Sequence, residues 1–333
     1  MKDRILIVDD TPANLQILTA TLKEKGYQIS VATNGRQALE VLERLQPDLI
    51  LLDVMMPEMD GFETCRHLKT STRWAQIPVI FLTARTDTAD IVKGFELGAV
   101  DYVAKPFNAH ELMALVNTHL TMDHLRRENE RLLLNILPPS IAGRLRSGEE
   151  HIADRYAEVT VLFADIVGFT ELASSMPAPV VVDLLNDLFS RFDLTAQELG
   201  IEKIKTIGDA YMAVCGLPEA CADHTERILK MALHLMEIAR SFKETCGVPV
   251  RLRIGINTGP VVAGVIGRNK FIYDLWGDTV NLASRMESYG VPDTIQVTRG
   301  VFEKLGDQYS FEARGPIEVK GKGAVETWML RCG

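Results

Sequence analysis

The sequence predicts an α/β domain built on a parallel sheet, then a helical connector, then an α+β domain. Three observations carry this. The 333 residues exceed what one core usually holds, at about 100–200 residues per domain. In the first third, short apolar runs alternate with stretches of helical period. Further on, a glycine turn joins two strands directly, which a purely parallel sheet does not allow. Apolar residues at 47% and charged residues at 24% argue against collagen, a disulfide mini-scaffold or wholesale disorder.

The first apolar runs are Ile5 to Val8, Leu49 to Leu52, Val79 to Leu82 and the weaker Tyr102 to Ala104. Leu15, Leu18 and Leu22 show the helical spacing between them. Runs without polar alternation are what strands covered on both faces look like, so the sheet is expected to be parallel with ligands beyond its carboxyl ends. Those ends carry Asp9 and Asp10, Asp53, Thr83 and Lys105. Three converging carboxylates repel one another unless a hard cation sits among them, and an all-oxygen set suits Mg²⁺. One carboxylate can then act as nucleophile toward a phosphoryl group. Thr11, before Pro12, is expected to cap the first helix.

These residues resemble the response-regulator receiver domain through VDD at 8–10, DVMMPEMDG at 53–61, LTA at 82–84 and AKPF at 104–107. The resemblance implies a flavodoxin-like parallel sheet of order 2-1-3-4-5 over residues 1–120. It makes Asp53 the phosphoacceptor, and Asp9, Asp10 and Asp53 the holders of one Mg²⁺. Thr83, Tyr102 and Lys105 become the switch residues, with a cis bond between Lys105 and Pro106. An upstream sensor histidine kinase or another phosphodonor is the implied partner.

From His110 the pattern is helical and long, up to Leu137-Pro138-Pro139, where proline stops it. Leu115, Met122, Asn129 and Ile136 recur every seven residues with Leu125 and Leu132 between them, a short coiled-coil seam in a linker spanning 121–152. The other possibility is an ordinary last helix of the first domain, with the seam stopping near Leu125.

In residues 153–333 the expected strands are Val159 to Ala164, Ile201 to Ile207, Tyr211 to Val214 and Leu252 to Ile256, with helices near 178–199, 222–245 and 278–289. Asp165 ends the first strand, and Asp209 sits in the Gly208-Asp209 hairpin turn. Two carboxylates at neighbouring strand ends suit divalent ions on a polyphosphate, although either acid alone reads better as a turn residue. Asn281 and Arg285 are four apart, hence on one helical face, and an amide with a guanidinium suits a phosphorus centre carrying developing charge.

The segment resembles the class III nucleotidyl cyclases through LFADIVGFT at 162–170, KIKTIGDAYM at 203–212, RIGINTGPVVAGVIG at 253–267, YDLWGDTVNLASRMES at 273–288 and VKGKG at 319–323. The resemblance implies a ferredoxin-like α+β fold and two Mg²⁺ or Mn²⁺ ions per site on Asp165, Asp209 and the Ile166 carbonyl. It gives Asn281 and Arg285 the transition state, Lys320 the distal phosphates, and Lys205 with Asp274 the purine. Lys205 only donates and an ionised Asp274 only accepts, which matches adenine and opposes guanine. The implied activity is adenylate cyclase, turning ATP into cyclic AMP and pyrophosphate in a homodimer whose sites draw on both protomers. Guanylate cyclase, or a catalytically silent dimerisation or nucleotide-binding module, are the alternatives.

The net charge of −9 predicts no general attraction to nucleic acid or an anionic membrane. Cys65, Cys215, Cys221, Cys246 and Cys332 are odd in number and scattered, and no run is long enough to span a bilayer, so a reduced, cytoplasmic protein is expected.

Overall fold

A computed structural model describes residues 2–84, 88–267 and 270–331 of the chain. Cys332 and the side chain of Cys246 lie outside the described residues. The chain divides into two compact units, Met1–Leu132 and Leu133–Gly333.

In the first unit, β1 (Arg4–Val8), β2 (Gln28–Ala32), β3 (Leu49–Asp53), β4 (Val79–Thr83) and β5 (Asp101–Ala104) form a parallel sheet of order β2-β1-β3-β4-β5. Helices α1 (Pro12–Glu24), α2 (Gly35–Arg44), α3 (Gly61–Thr70), α4 (Thr88–Glu96) and α5 (Ala109–Leu134) follow the strands in turn. Leu6 and Val8 enter one apolar cluster and Ile5 and Ile7 another, so β1 is covered on both faces, which is why its sequence lacks polar alternation. The periodicity of the sequence does not reveal β2. It is an edge strand with only Ala32 fully buried, so QISVA never forms a continuous apolar run. Thr11 corrects an expectation: it holds the N-cap position, but its hydroxyl donates to Asp10 Oδ1 at 3.2 Å instead of capping a helix N–H. The Lys105–Pro106 bond is cis.

Helix α5 ends at Leu134, so Ile136 lies beyond it and the expected seam is shorter at that end. Two prolines follow, and Leu137 is already buried with Ile141 and Ala142 at the start of the second unit's core, which draws the chain out of helical register. Leu115 packs against the first unit's own core. Met122, Leu125 and Leu132 are 60%, 60% and 49% exposed, an apolar stripe interrupted by the exposed Asn129.

After α6 (Pro139–Arg146), the second unit is one mixed sheet of order β12-β13-β11-β9-β6-β8-β7, with β10 paired to β9. Its strands are β6 (Ala153–Ile166), β7 (Glu202–Ile207), β8 (Ala210–Cys215), β9 (Leu252–Ile266), β10 (Ile272–Trp276), β11 (Thr294–Thr298), β12 (Glu312–Val319) and β13 (Gly323–Arg331). The helices are α7 (Phe169–Ser174), α8 (Ala178–Glu198), α9 (His224–Cys246), α10 (Asp278–Ser288) and α11 (Arg299–Leu305). One face of the sheet packs on α8 and α9 through Leu188, Phe192, Leu229 and Ile254, and the other buries Val161, Val261, Tyr273 and Ala283. Helix α10 crosses β9 at Gly255, where a Cβ would come within 2.0 Å of the Glu287 backbone nitrogen. Only glycine lets α10 lie this close to the strands that carry Asp165.

Candidate functional site

The first unit gathers its reactive side chains at the carboxyl end of the sheet. Ligand oxygens of Asp9, Asp10 and Asp53 all lie within 4.8 Å of one another. Asp9 is fully buried, and it accepts from the Thr11 backbone N–H at 2.9 Å and from Asn14 Nδ2 at 3.0 Å. The Lys105 ammonium stands 2.8 Å from Asp9 Oδ2 and 2.7 Å from Asp53 Oδ2. A salt bridge normally lowers its carboxylate, yet Asp53 is pushed up, because burial and the Asp9 charge outweigh Lys105. Burial works against the Lys105 charge, but the two carboxylates win and raise its pKa above the ordinary lysine value. Oxygen donors short of positive charge fit a hard divalent cation. Thr83 and Tyr102 line one small cavity, and Tyr102 meets Phe95 edge-on at 6.4 Å.

In the second unit, strand pairing sets Asp165 on β6 opposite Ala210 and Arg253, which brings Asp209, in the two-residue β7–β8 turn, beside it. Burial and then the Asp165 charge push the Asp209 carboxyl up. Arg253 donates to Asp165 Oδ2 at 2.7 Å and to Glu287 Oε1 at 3.1 Å. Glu287 is itself buried, and burial followed by the Asp165 charge raises its pKa. Two strand-end carboxylates held together against their repulsion fit a divalent cation, with the Ile166 carbonyl one residue away at the end of β6. The sequence reading missed Arg253 and Glu287. Both lie inside the motifs quoted for the resemblance, and the signal for Arg253 is a charged residue near the start of an apolar run, while Glu287 on its helix gives none.

Lys205 on β7 and Asp274 on β10, 69 residues apart, form a direct ion pair. Asp274 also accepts from the Leu275 N–H at 2.9 Å. Asn281 and Arg285 project from α10 into an open cavity of about 460 Å³ that Lys320 also lines. Neither Asn281 nor Arg285 has a side-chain hydrogen bond to another described residue. Asp165, Asp209, Lys205 and Asp274 are not among the residues that line that cavity.

Residues 152–332 match the family model described as the adenylate and guanylate cyclase catalytic domain, just over half of the chain. The chain belongs to the adenylate and guanylate cyclase family. Residues 5–117 match the response regulator receiver domain, so a receiver domain is fused to a cyclase domain. An adenylate cyclase of Mycobacterium tuberculosis is 51% identical over 203 residues, 61% of this chain and 46% of that protein. Retinal guanylyl cyclase 1 of Homo sapiens is 44% identical over 212 residues, 62% of this chain and 19% of that protein. The chain thus spans less than half the length of these curated relatives. Among solved structures, the catalytic core of a rhodopsin-guanylyl cyclase with converted specificity, in complex with ATPalphaS, is 39% identical at a TM-score of 0.52. That match covers 54% of this chain and 97% of the other. The adenylyl cyclase CyaB from P. aeruginosa is 29% identical at a TM-score of 0.51, covering 54% of this chain and 95% of the other. Cyclase domains of this family generally use divalent metal ions. No helix among the described residues is long and apolar enough to cross a membrane.

Glu202, at the start of the strand that carries Lys205, is half-buried, and burial alone pushes its pKa up to about 7. A raised carboxylate costs stability as pH climbs from the ordinary range near 4.5 through about 7, because the folded state holds the proton more tightly. Glu202→Gln is therefore expected to stabilise the cyclase domain by about 1–3 kcal/mol at pH 8.5, less the screening that a half-buried group receives, with the gain vanishing near pH 4.5. Denaturant melts of both chains across that range measure it. A gain independent of pH would contradict the assignment.

Proposed function

We propose that the chain is a response regulator with adenylate cyclase output, converting ATP to 3′,5′-cyclic AMP and pyrophosphate in a homodimer. The observation that carries the reading is the Lys205–Asp274 pair, which the fold assembles from two strands. Lys205 donates to N1 of adenine and Asp274 accepts from its exocyclic amine, whereas guanine would set donor against donor and acceptor against acceptor. The 51% identity to a protein named adenylate cyclase favours the same substrate, although guanylyl cyclases at 41–45% identity keep GTP as the competing reading.

Asp165, Asp209 and the Ile166 carbonyl would hold two Mg²⁺ or Mn²⁺ ions, which when bound would lower the pKa of the ribose 3′-hydroxyl and neutralise phosphate charge. Asn281 and Arg285 stabilise charge developing at the α-phosphorus, and Lys320 holds the distal phosphates. Asp165 and Asp209 are not among the residues lining the Asn281–Arg285 cavity, which supports a complete site shared between two protomers. The surface for that pairing is an apolar ribbon. Val262 faces Trp276 and Ile266 faces Ile272 across β9 and β10, all 37–56% exposed, with Asp274 on the same face between Ile272 and Trp276. The stripe of Met122, Leu125 and Leu132 on α5 pairs with its copy in the second chain as a short coiled coil.

Asp53 accepts the phosphoryl group from a sensor histidine kinase or another phosphodonor, with one Mg²⁺ on Asp9, Asp10 and Asp53. Thr83, Tyr102 and Lys105 respond to it. ATP and such a donor belong together in the cytoplasm. Side-by-side turnover of ATP and GTP tests the substrate: ATP should be favoured at least about a hundredfold. Equal or faster GTP turnover would replace the reading with guanylate cyclase, and no turnover of either would leave a silent module.

A further inference from the structure

The loop that carries Lys320 is a tight turn with a second cation at its far end. Val319 closes β12 and Gly323 opens β13, and these two residues pair across the hairpin. The Lys322 N–H donates to the Val319 carbonyl at 2.9 Å, and Gly321 takes φ +85°, the left-handed value that the third residue of a type II turn requires. Lys320 therefore stands at a corner of the turn, with the conformationally permissive Gly321 beside it.

What ties this turn down is a side chain. The Lys322 ammonium forms an ion pair with Asp278, the first residue of α10. Asp278, Asn281 and Arg285 follow the i, i+3, i+7 spacing of one helical face, and all three line the cavity together with Val319, Lys320 and Lys322. Asp278 neutralises Lys322, while Lys320 and Arg285 have no ion-pair partner among the described residues. The cations left for an anion in the cavity are thus Lys320 and Arg285, with Lys322 engaged in holding the loop to the helix.

We propose that Lys322 is a positioning residue, whose contact with Asp278 latches the 319–323 turn to α10 and holds Lys320 over the cavity that Asn281 and Arg285 line. This rests on the reading of Lys320 as the holder of the distal phosphates. An unlatched turn spreads Lys320 over more conformations, so the loss falls on anion binding.

The test uses the full chain, a divalent cation and inorganic pyrophosphate as the probe. It is read by pyrophosphate affinity and by hydrogen exchange at the amides of 320–323. Lys322→Ala and Asp278→Asn should each weaken pyrophosphate binding about threefold to fivefold, the size an exposed ion pair can supply, and each should speed the exchange. The double variant should be no worse than either single one, and Lys322→Arg should recover most of the loss. Three results overturn the latch: unchanged exchange in Asp278→Asn, losses that multiply in the double variant, or weakened binding in Lys322→Ala alone. The last would mean that Lys322 touches the phosphates itself. Lys320→Ala separates the two readings. If it binds pyrophosphate like the wild type while Asp278→Asn still speeds exchange, the role of Lys320 fails and the latch stands.

Discussion

Asp165→Ala and Arg285→Ala chains are each expected to lose cyclase activity by about 10²-fold or more, and to recover about a quarter of wild-type turnover when mixed in equal amounts. The loss follows from what each residue faces. Asp165 stands beside Asp209 and Arg253 at the strand ends, and its removal would leave the proposed cation site one carboxylate short. Arg285 lines a cavity with Asn281 and Lys320. If each site takes its carboxylates from one protomer and its arginine from the other, a mixed dimer owns one intact site and one doubly broken one. Random pairing makes about half of the dimers mixed, so about one site in four works. Turnover of the two variants, alone and after co-refolding or subunit exchange, measures this. Absence of recovery in proven heterodimers would place both residues in one protomer's site and remove the reason for a shared interface.

The second large effect concerns Asp53. Adding a small acyl-phosphate donor to the wild-type chain should change the rate of cyclic AMP production by about fivefold to 150-fold, the range that a coupling of 1–3 kcal/mol supplies. Asp53→Ala should show no change. Asp53 has the surroundings for it: a carboxylate whose pKa burial raises, the Lys105 ammonium at 2.7 Å to meet a phosphoryl oxygen, and Asp9 and Asp10 to share a cation. Phosphorylation moves charge within this cluster, next to the cavity that Thr83 and Tyr102 line, and so biases which state the domain prefers. Equal rates in all four combinations of chain and donor would mean that the receiver domain does not control the cyclase domain through Asp53.

Much of the fold was legible because its signals are local. Continuous apolar runs marked β1, β3 and β4 as strands buried on both faces, and the Gly208-Asp209 turn marked β7 and β8 as a hairpin. The edge strand β2 escaped, since a strand half in water lacks that signature. The seam of the connector was overextended to Ile136, because heptad counting does not register that the nearby Leu137 is buried in a core. Within the sites, acids at strand ends stood out by position. Arg253 and Glu287 did not, since their importance lies in facing Asp165 across 88 residues and along a helix that Gly255 lets approach.

By itself, the sequence determined the two domain types, the residue kinds at each strand end and the donor and acceptor polarity of Lys205 and Asp274, because those follow from spacing and from what each side chain can donate or accept. Only the tertiary structure decided which of them meet. It paired Lys205 with Asp274, set Arg253 between Asp165 and Glu287, tied Lys322 to Asp278 and placed Asn281 and Arg285 in one cavity with Lys320. The physical reason is that contacts between distant segments depend on strand register and helix packing, which the whole chain settles together and no local stretch encodes.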